Sequence, residues 1–185
     1  MPRRRRYSHT RLYYHVINQS AAKSTLFATP RDYREFLAIL REGLTRHRVP
    51  IVAYAVLPNH WYLVLGPTGT GSLSRLLDWV GTTHAVRVRL RRKTLGEGAV
   101  YQGRFKAHPI EAPGSLIRIC RFVESNALTA GLVRRAQDWP WGSLADRVRS
   151  SPSLQLSGSA FLASEAWVEH VNGVVTEQEL SLIHI

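Results

Sequence analysis

Ile51-Val52-Ala53-Tyr54-Ala55-Val56-Leu57-Pro58-Asn59-His60-Trp61-Tyr62-Leu63-Val64-Leu65 reads as two strands folded back on each other. The first seven residues are nearly all apolar, which predicts a strand buried on both faces. Pro58-Asn59 supplies the turn into the next strand. Side chains alternate along that strand, so Trp61 and Leu63 point into the core while His60 and Tyr62 project side by side from the other face.

Outward from this pair the chain alternates strands and helices. Residues Leu12 to Ile17 alternate as a first strand, with Tyr14 and Val16 on one side and Tyr13, His15 and Ile17 on the other. Thr29-Pro30-Arg31-Asp32 marks a helix start: Thr29 can cap, Pro30 suits the first helical position, and Asp32 favours the positive end of the dipole. Tyr33, Phe36, Leu37, Leu40 and Leu44 give the apolar stripe, and Pro50 ends it. A second helix is expected from a Ser72 cap, with Leu73, Leu76, Leu77, Val80, His84 and Val88 inward and a basic end. A bent strand is expected over Val100 to Ile110, then a helix over Ser115 to Leu128 closed by Gly131. The order strand, helix, strand, strand, helix, strand, helix predicts an α+β, ferredoxin-like sandwich with a mainly antiparallel sheet and helices packed against it.

At 185 residues, 44% of them hydrophobic, the chain is long enough for one domain with a real core. The expected domain is 1–148, with 149–179 a Ser/Gly/Pro-rich linker and a partial accessory element. Residues 180–185, Leu-Ser-Leu-Ile-His-Ile, match one reading frame of the mosaic-end adapter of transposon-based sequencing libraries, and are set aside as a sequencing-adapter artefact. The 25 basic and 13 acidic residues give a formal charge of +12, so polyanions are the natural partners. Gly66-Pro67-Thr68-Gly69-Thr70-Gly71 is a loop, since no Lys-Ser/Thr follows as in a phosphate cradle. A single cysteine, Cys120, excludes an intrachain disulfide, and no apolar run is of membrane-spanning length. A cytoplasmic location is expected.

Pro58-Asn59-His60-Trp61-Tyr62 resembles the Pro-Asn-His-hydrophobic-His strand of the tyrosine transposases, with Tyr62 in place of the second histidine. Arg121-Phe122-Val123-Glu124-Ser125-Asn126 resembles the helix that carries their nucleophilic tyrosine, with Phe122 at that position. Tyr14-His15-Val16, Tyr101-Gln102-Gly103-Arg104-Phe105-Lys106, Ala130-Gly131-Leu132-Val133 and Asp138-Trp139-Pro140-Trp141-Gly142-Ser143 fall in the same family order. The last of these, with Asn126-Ala127 where Asn-Pro is usual, resembles the REP-associated branch of that His-hydrophobic-His superfamily.

The resemblance implies a metal-assisted attack of a tyrosine oxygen on a DNA phosphodiester, leaving a phosphotyrosine link and a free 3′ hydroxyl. It implies Phe122 at the nucleophile position, Asn126 as third metal ligand one helical turn on, and His60 with Tyr62 as the metal pair. Phenylalanine cannot form the covalent intermediate. A phenol titrates near 10 and binds divalent metal poorly at neutral pH, so the implied Mg²⁺ or Mn²⁺ is expected to be held weakly or not at all. Tyr62 is the one substitute nucleophile in reach, and an active nickase using it is the enzyme-class alternative. His15, His84 and His108 lack partners at ligand spacing and read as packing or surface residues.

The expected DNA contacts are the arm Arg3, Arg4, Arg5 and Arg6, the helix end Arg87, Arg89, Arg91, Arg92 and Lys93, and Arg104 with Lys106. The resemblance implies hairpin or single-stranded DNA as partner and is compatible with a homodimer. A non-catalytic RNA or general nucleic-acid module is the second alternative, because ferredoxin-like sheets host many functions.

Overall fold

The computed structural model describes residues 12–69, 71–94, 98–112, 114–158 and 160–173. Strand β1 (Tyr13–Gln19) leads into helix α1 (Pro30–His47), then β2 (Ile51–Leu57) and β3 (His60–Leu65). Helix α2 (Ser72–Arg92), β4 (Lys106–Ile110) and α3 (Ser115–Thr129) follow, then the shorter α4 (Ser143–Val148) and α5 (Glu165–Asn172). The sheet order is β2-β3-β1-β4, with every neighbouring pair antiparallel. Each helical crossover therefore joins two strands separated by one other strand, which is the split βαβ arrangement of a ferredoxin-like α+β sandwich.

The period-two pattern sorts side chains into two cores. On one face Tyr14, Val16, Trp61, Leu63 and Leu65 pack with Phe36, Leu40, Leu76 and Val80 of α1 and α2. On the other, Val52, Ala55, Leu57 and Val64 pack with Cys120 and Val123 of α3 and with Trp167 and Val171 of α5. β2 is buried at all seven positions because helices cover both of its faces. Gly43 lets α1 approach α2, since a Cβ there would stand 2.8 Å from Leu76 and 3.0 Å from Val80.

The Asp32 carboxylate accepts the backbone N–H groups of Ala28 and Thr29, each at 2.9 Å, closing the start of α1. At the end of α3, Gly131 takes φ +69° and its N–H donates to Leu128 O at 2.9 Å. Two local expectations are corrected. Ser72 is inside α2 and Gly71, with φ +75°, is its N-cap, because the backbone reverses there in a conformation that favours glycine. The strand expected over 100–110 begins only at Lys106. Tyr101 makes an isolated bridge to Ser20, and the residues between leave the ladder.

The Ser/Gly/Pro-rich stretch after α4 runs along β2: Ser157 N–H donates to Ile51 O at 2.7 Å, and Leu154 is buried in the α1–α2 core. Residues 1–11, with Arg3 to Arg6, and 174–185, with the presumed adapter sequence, lie outside the described residues.

Candidate nucleic-acid and strand-cleavage site

Helix α3 lies across β2 and β3, so its 122/126 stripe meets the sheet face that carries residues 60 and 62. His60 opens β3 directly after the turn, and its Nδ1 donates to Asn59 Oδ1 at 2.6 Å, which leaves Nε2 as the ring's lone-pair nitrogen. The Asn126 side chain faces both His60 and Tyr62, close enough to shift both groups. Phe122 stands edge-on to Tyr62, ring centroids 5.2 Å apart, and Tyr62 is edge-on to His60 at 5.1 Å. The four residues singled out in the sequence are therefore in one cluster.

Two histidines join them that sequence spacing assigned only to packing or surface. His15 stacks on Tyr62 at 5.5 Å and meets the edge of Phe122 at 6.0 Å. His108 is its partner across the β1–β4 ladder. Nε2 of each is buried without a hydrogen-bond partner. The signal was parity: residue 15 shares a face with residue 62 once β1 is paired with β3, a register that spacing within one strand does not reveal.

Burial pushes the His60 ring below its ordinary value, partly offset by Asn126, so it is neutral at pH 7. Burial raises the Tyr62 phenol, again partly offset by Asn126, so it keeps its proton. His15 is lowered to about 4 by burial and then by the neighbouring His108. The donor set at the three implied ligand positions, His60, Asn126 and Tyr62, is thus a neutral imidazole, an amide and a protonated phenol, without a carboxylate. Hard divalent cations such as Mg²⁺ and Mn²⁺ favour charged oxygen ligands, and this set fits them poorly. Among the described residues no group of three or more His, Cys, Asp or Glu side chains is arranged to hold a metal ion.

The basic end of α2 does not lie on that face, and much of it is engaged within the protein. Arg91 pairs with Asp32 at 2.9 Å and with Glu35, joining the end of α2 to the start of α1. Arg92 donates to Thr25 O at 2.7 Å and Arg89 to Gly98 O at 2.6 Å. Arg87 stays 58% exposed with only a 3.7 Å approach to Glu35, and Lys93 is exposed. Arg104 pairs with Asp78 at 2.7 Å, both side chains half exposed. Lys106 is exposed on β4, opposite Ile17 of β1.

The model of the family described as "Transposase IS200 like" matches residues 8–126. No curated protein matches the sequence. Among solved structures, a REP-associated tyrosine transposase bound to a REP hairpin is similar with a TM-score of 0.58 at 17% identity, over 85% of this chain and 93% of that one. A Deinococcus radiodurans R1 protein described as a transposase gives a TM-score of 0.47 at 20% identity, over 67% of this chain and 96% of that one. At 17% identity the likeness to the first of these is one of fold.

Proposed function

Because this chain belongs to the IS200-like transposase family, we propose that it binds hairpin or single-stranded DNA as a REP-associated member whose strand-nicking step is impaired. One observation carries the second half of this reading: at the position of the family's nucleophile stands Phe122, packed on Tyr62 with no oxygen to offer a phosphodiester. The residues that would hold a divalent metal in the family are here His60, Tyr62 and Asn126, and their neutral donor set suits such a cation poorly. DNA binding makes no such demand. Cations at Arg87, Lys93, Arg104 and Lys106, with the arm Arg3 to Arg6, supply the charge for phosphate contacts. A soluble, nucleoid-associated protein of the cytoplasm is the matching location, and no helix among the described residues is long and apolar enough to cross a membrane.

Tyr62 is a weak candidate for a replacement nucleophile. Its phenol is driven toward the protonated form by burial and is engaged with Asn126. It also projects from the strand rather than from α3, so an attack from it would approach the phosphorus along a different line.

The test is direct. Incubation with labelled hairpin DNA and Mg²⁺ or Mn²⁺ should give retarded complexes on a native gel and no protein–DNA adduct on a denaturing gel. A covalent adduct abolished by Tyr62→Phe would establish an active nickase instead. Equal affinity for hairpin DNA and the matched RNA would favour a general nucleic-acid module.

A further inference from the structure

The ladder between β1 and the 101–110 segment contains an irregularity that opens a cleft beside the His60 cluster. Ser20 pairs with Tyr101 and Ile17 with Lys106, so two residues of β1 face four of the opposite segment. Gln102 N–H still donates to Gln19 O at 2.9 Å, after which the chain bulges outward. The bulge leaves a cleft of about 390 Å³ lined by Ile17, Asn18, Gln19, Gln102, Gly103, Arg104 and Lys106. Ile17 and Gln19 are the cross-strand partners of Tyr62 and His60, so the cleft continues the same sheet face.

The lining has a definite chemistry. Gln19 Nε2 donates to Gln102 Oε1, which leaves the pair a further donor and a further acceptor on each side. Lys106 and Arg104 bring two cations to the rim, and Ile17 gives an apolar surface. At Gly103 a Cβ would meet nothing within 4 Å, so the backbone there is approachable from outside. Paired amides read the donor and acceptor edge of a nucleobase, cations hold its phosphate, and an apolar side chain supports its plane. The volume is near the lower end of small-ligand pockets. A base inside a duplex has its Watson–Crick edge paired and its faces stacked, so entry of a whole base against Ile17 with that edge on the amides requires an unpaired nucleotide.

We propose that the bulge cleft is a base-reading subsite for one unpaired nucleotide of a DNA strand, with Gln19 and Gln102 reading the base and Lys106 and Arg104 holding its phosphate. This rests on the DNA-binding reading above. Arg104, tied to the half-exposed Asp78, exchanges that carboxylate for the phosphate when the strand arrives.

Fluorescence anisotropy with labelled dA, dC and dT homopolymers of about twelve nucleotides tests it, because a homopolymer removes any question of register. The wild type should prefer one of the three by about tenfold, as expected for one well-made amide–base contact. Gln19→Ala and Gln102→Ala should bring the three to parity with the salt dependence unchanged. Lys106→Ala should instead weaken all three and reduce the log–log salt slope by about 0.7. Gln102 is exposed, so an unshifted thermal transition will verify that its replacement leaves the fold intact. Equal wild-type affinities, or a preference that survives Gln102→Ala, overturn the subsite while hairpin binding still upholds the DNA-binding reading. Failure to bind both the homopolymers and a DNA hairpin at low salt overturns that reading, and the subsite with it.

Discussion

The ring of Phe122 meets that of Tyr62 edge to face, centroids 5.2 Å apart at an interplanar angle of 73°. The two positions that the sequence resemblance implies to be changed are therefore direct neighbours across the α3–β3 interface. An aromatic pair of this geometry is stabilising beyond its buried area, by roughly 0.5–1.5 kcal/mol. The interface here is built of two rings packed on each other.

Phe122→Tyr alone should restore little covalent cleavage of hairpin DNA with Mn²⁺, because Tyr62 still gives the site a protonated phenol. The double change with Tyr62→His supplies both an oxygen nucleophile and a second imidazole, and should yield clearly more adduct on a denaturing gel. Full cleavage by the single variant would mean that Tyr62 does no harm to the site.

The basic run at the end of α2 should divide into structural and DNA-facing members. Arg91→Ala strands the mostly buried Asp32 and should lower stability by about 1–3 kcal/mol in urea titration, between the values for surface and buried pairs. Arg87→Ala with Lys93→Ala should leave stability unchanged and weaken binding to all DNA sequences alike. If about four to six phosphates of a single strand are neutralised, the wild-type slope of log K against log salt should be about −3 to −4, and this double variant should flatten it. An unaltered slope would move the contact surface to Arg104 and Lys106.

Acid should destabilise the protein through His84. Trp61 Nε1–H donates to the Tyr101 hydroxyl at 3.1 Å, and that hydroxyl lies 2.6 Å from His84 Nδ1, so its own proton is free to donate to the ring. Burial first, and the charge of Arg91 next, lower His84 to about 3. The unfolded chain takes up a proton near pH 6.5 that the native ring refuses, so stability rises with pH across this interval. The contribution is whole above about 6.5 and fades as pH falls toward 3, by up to about 1.4 kcal/mol per unit. Urea midpoints between pH 7 and 5 should follow this course, and His84→Gln should flatten it. Parallel curves for variant and wild type would exclude His84 as the titrating group.

Glu124 ties α4 and α5 to α3. Its Oε1 accepts from Ser143 Oγ at 2.5 Å and Arg147 Nε at 2.8 Å, and its Oε2 accepts from Trp167 Nε1 at 2.6 Å. Glu124→Leu leaves the Arg147 guanidinium, 6% exposed, without its carboxylate and should cost about 3–5 kcal/mol in chemical denaturation. A loss under about 1 kcal/mol, the range of a surface pair, would mean that solvent reaches the network.

The sequence by itself determined the sheet class, most of the elements, the strand face shared by His60 and Tyr62 and the helix face shared by Phe122 and Asn126. Those follow from local rules: a seven-residue apolar run, a Pro-Asn turn, alternation along β3 and the i, i+4 spacing on α3. The tertiary structure decided what depends on register between distant segments. His15 reaches Tyr62, and Gln19 reaches Gln102, only through the pairing of β1 with β3 and with the 101–110 segment, which no single strand encodes. The same holds for the arginines of α2. A charge run on a helix looks alike whether it faces water or a carboxylate, and only the packing of α2 on α1 gives Arg91 to Asp32 and Glu35 rather than to a phosphate.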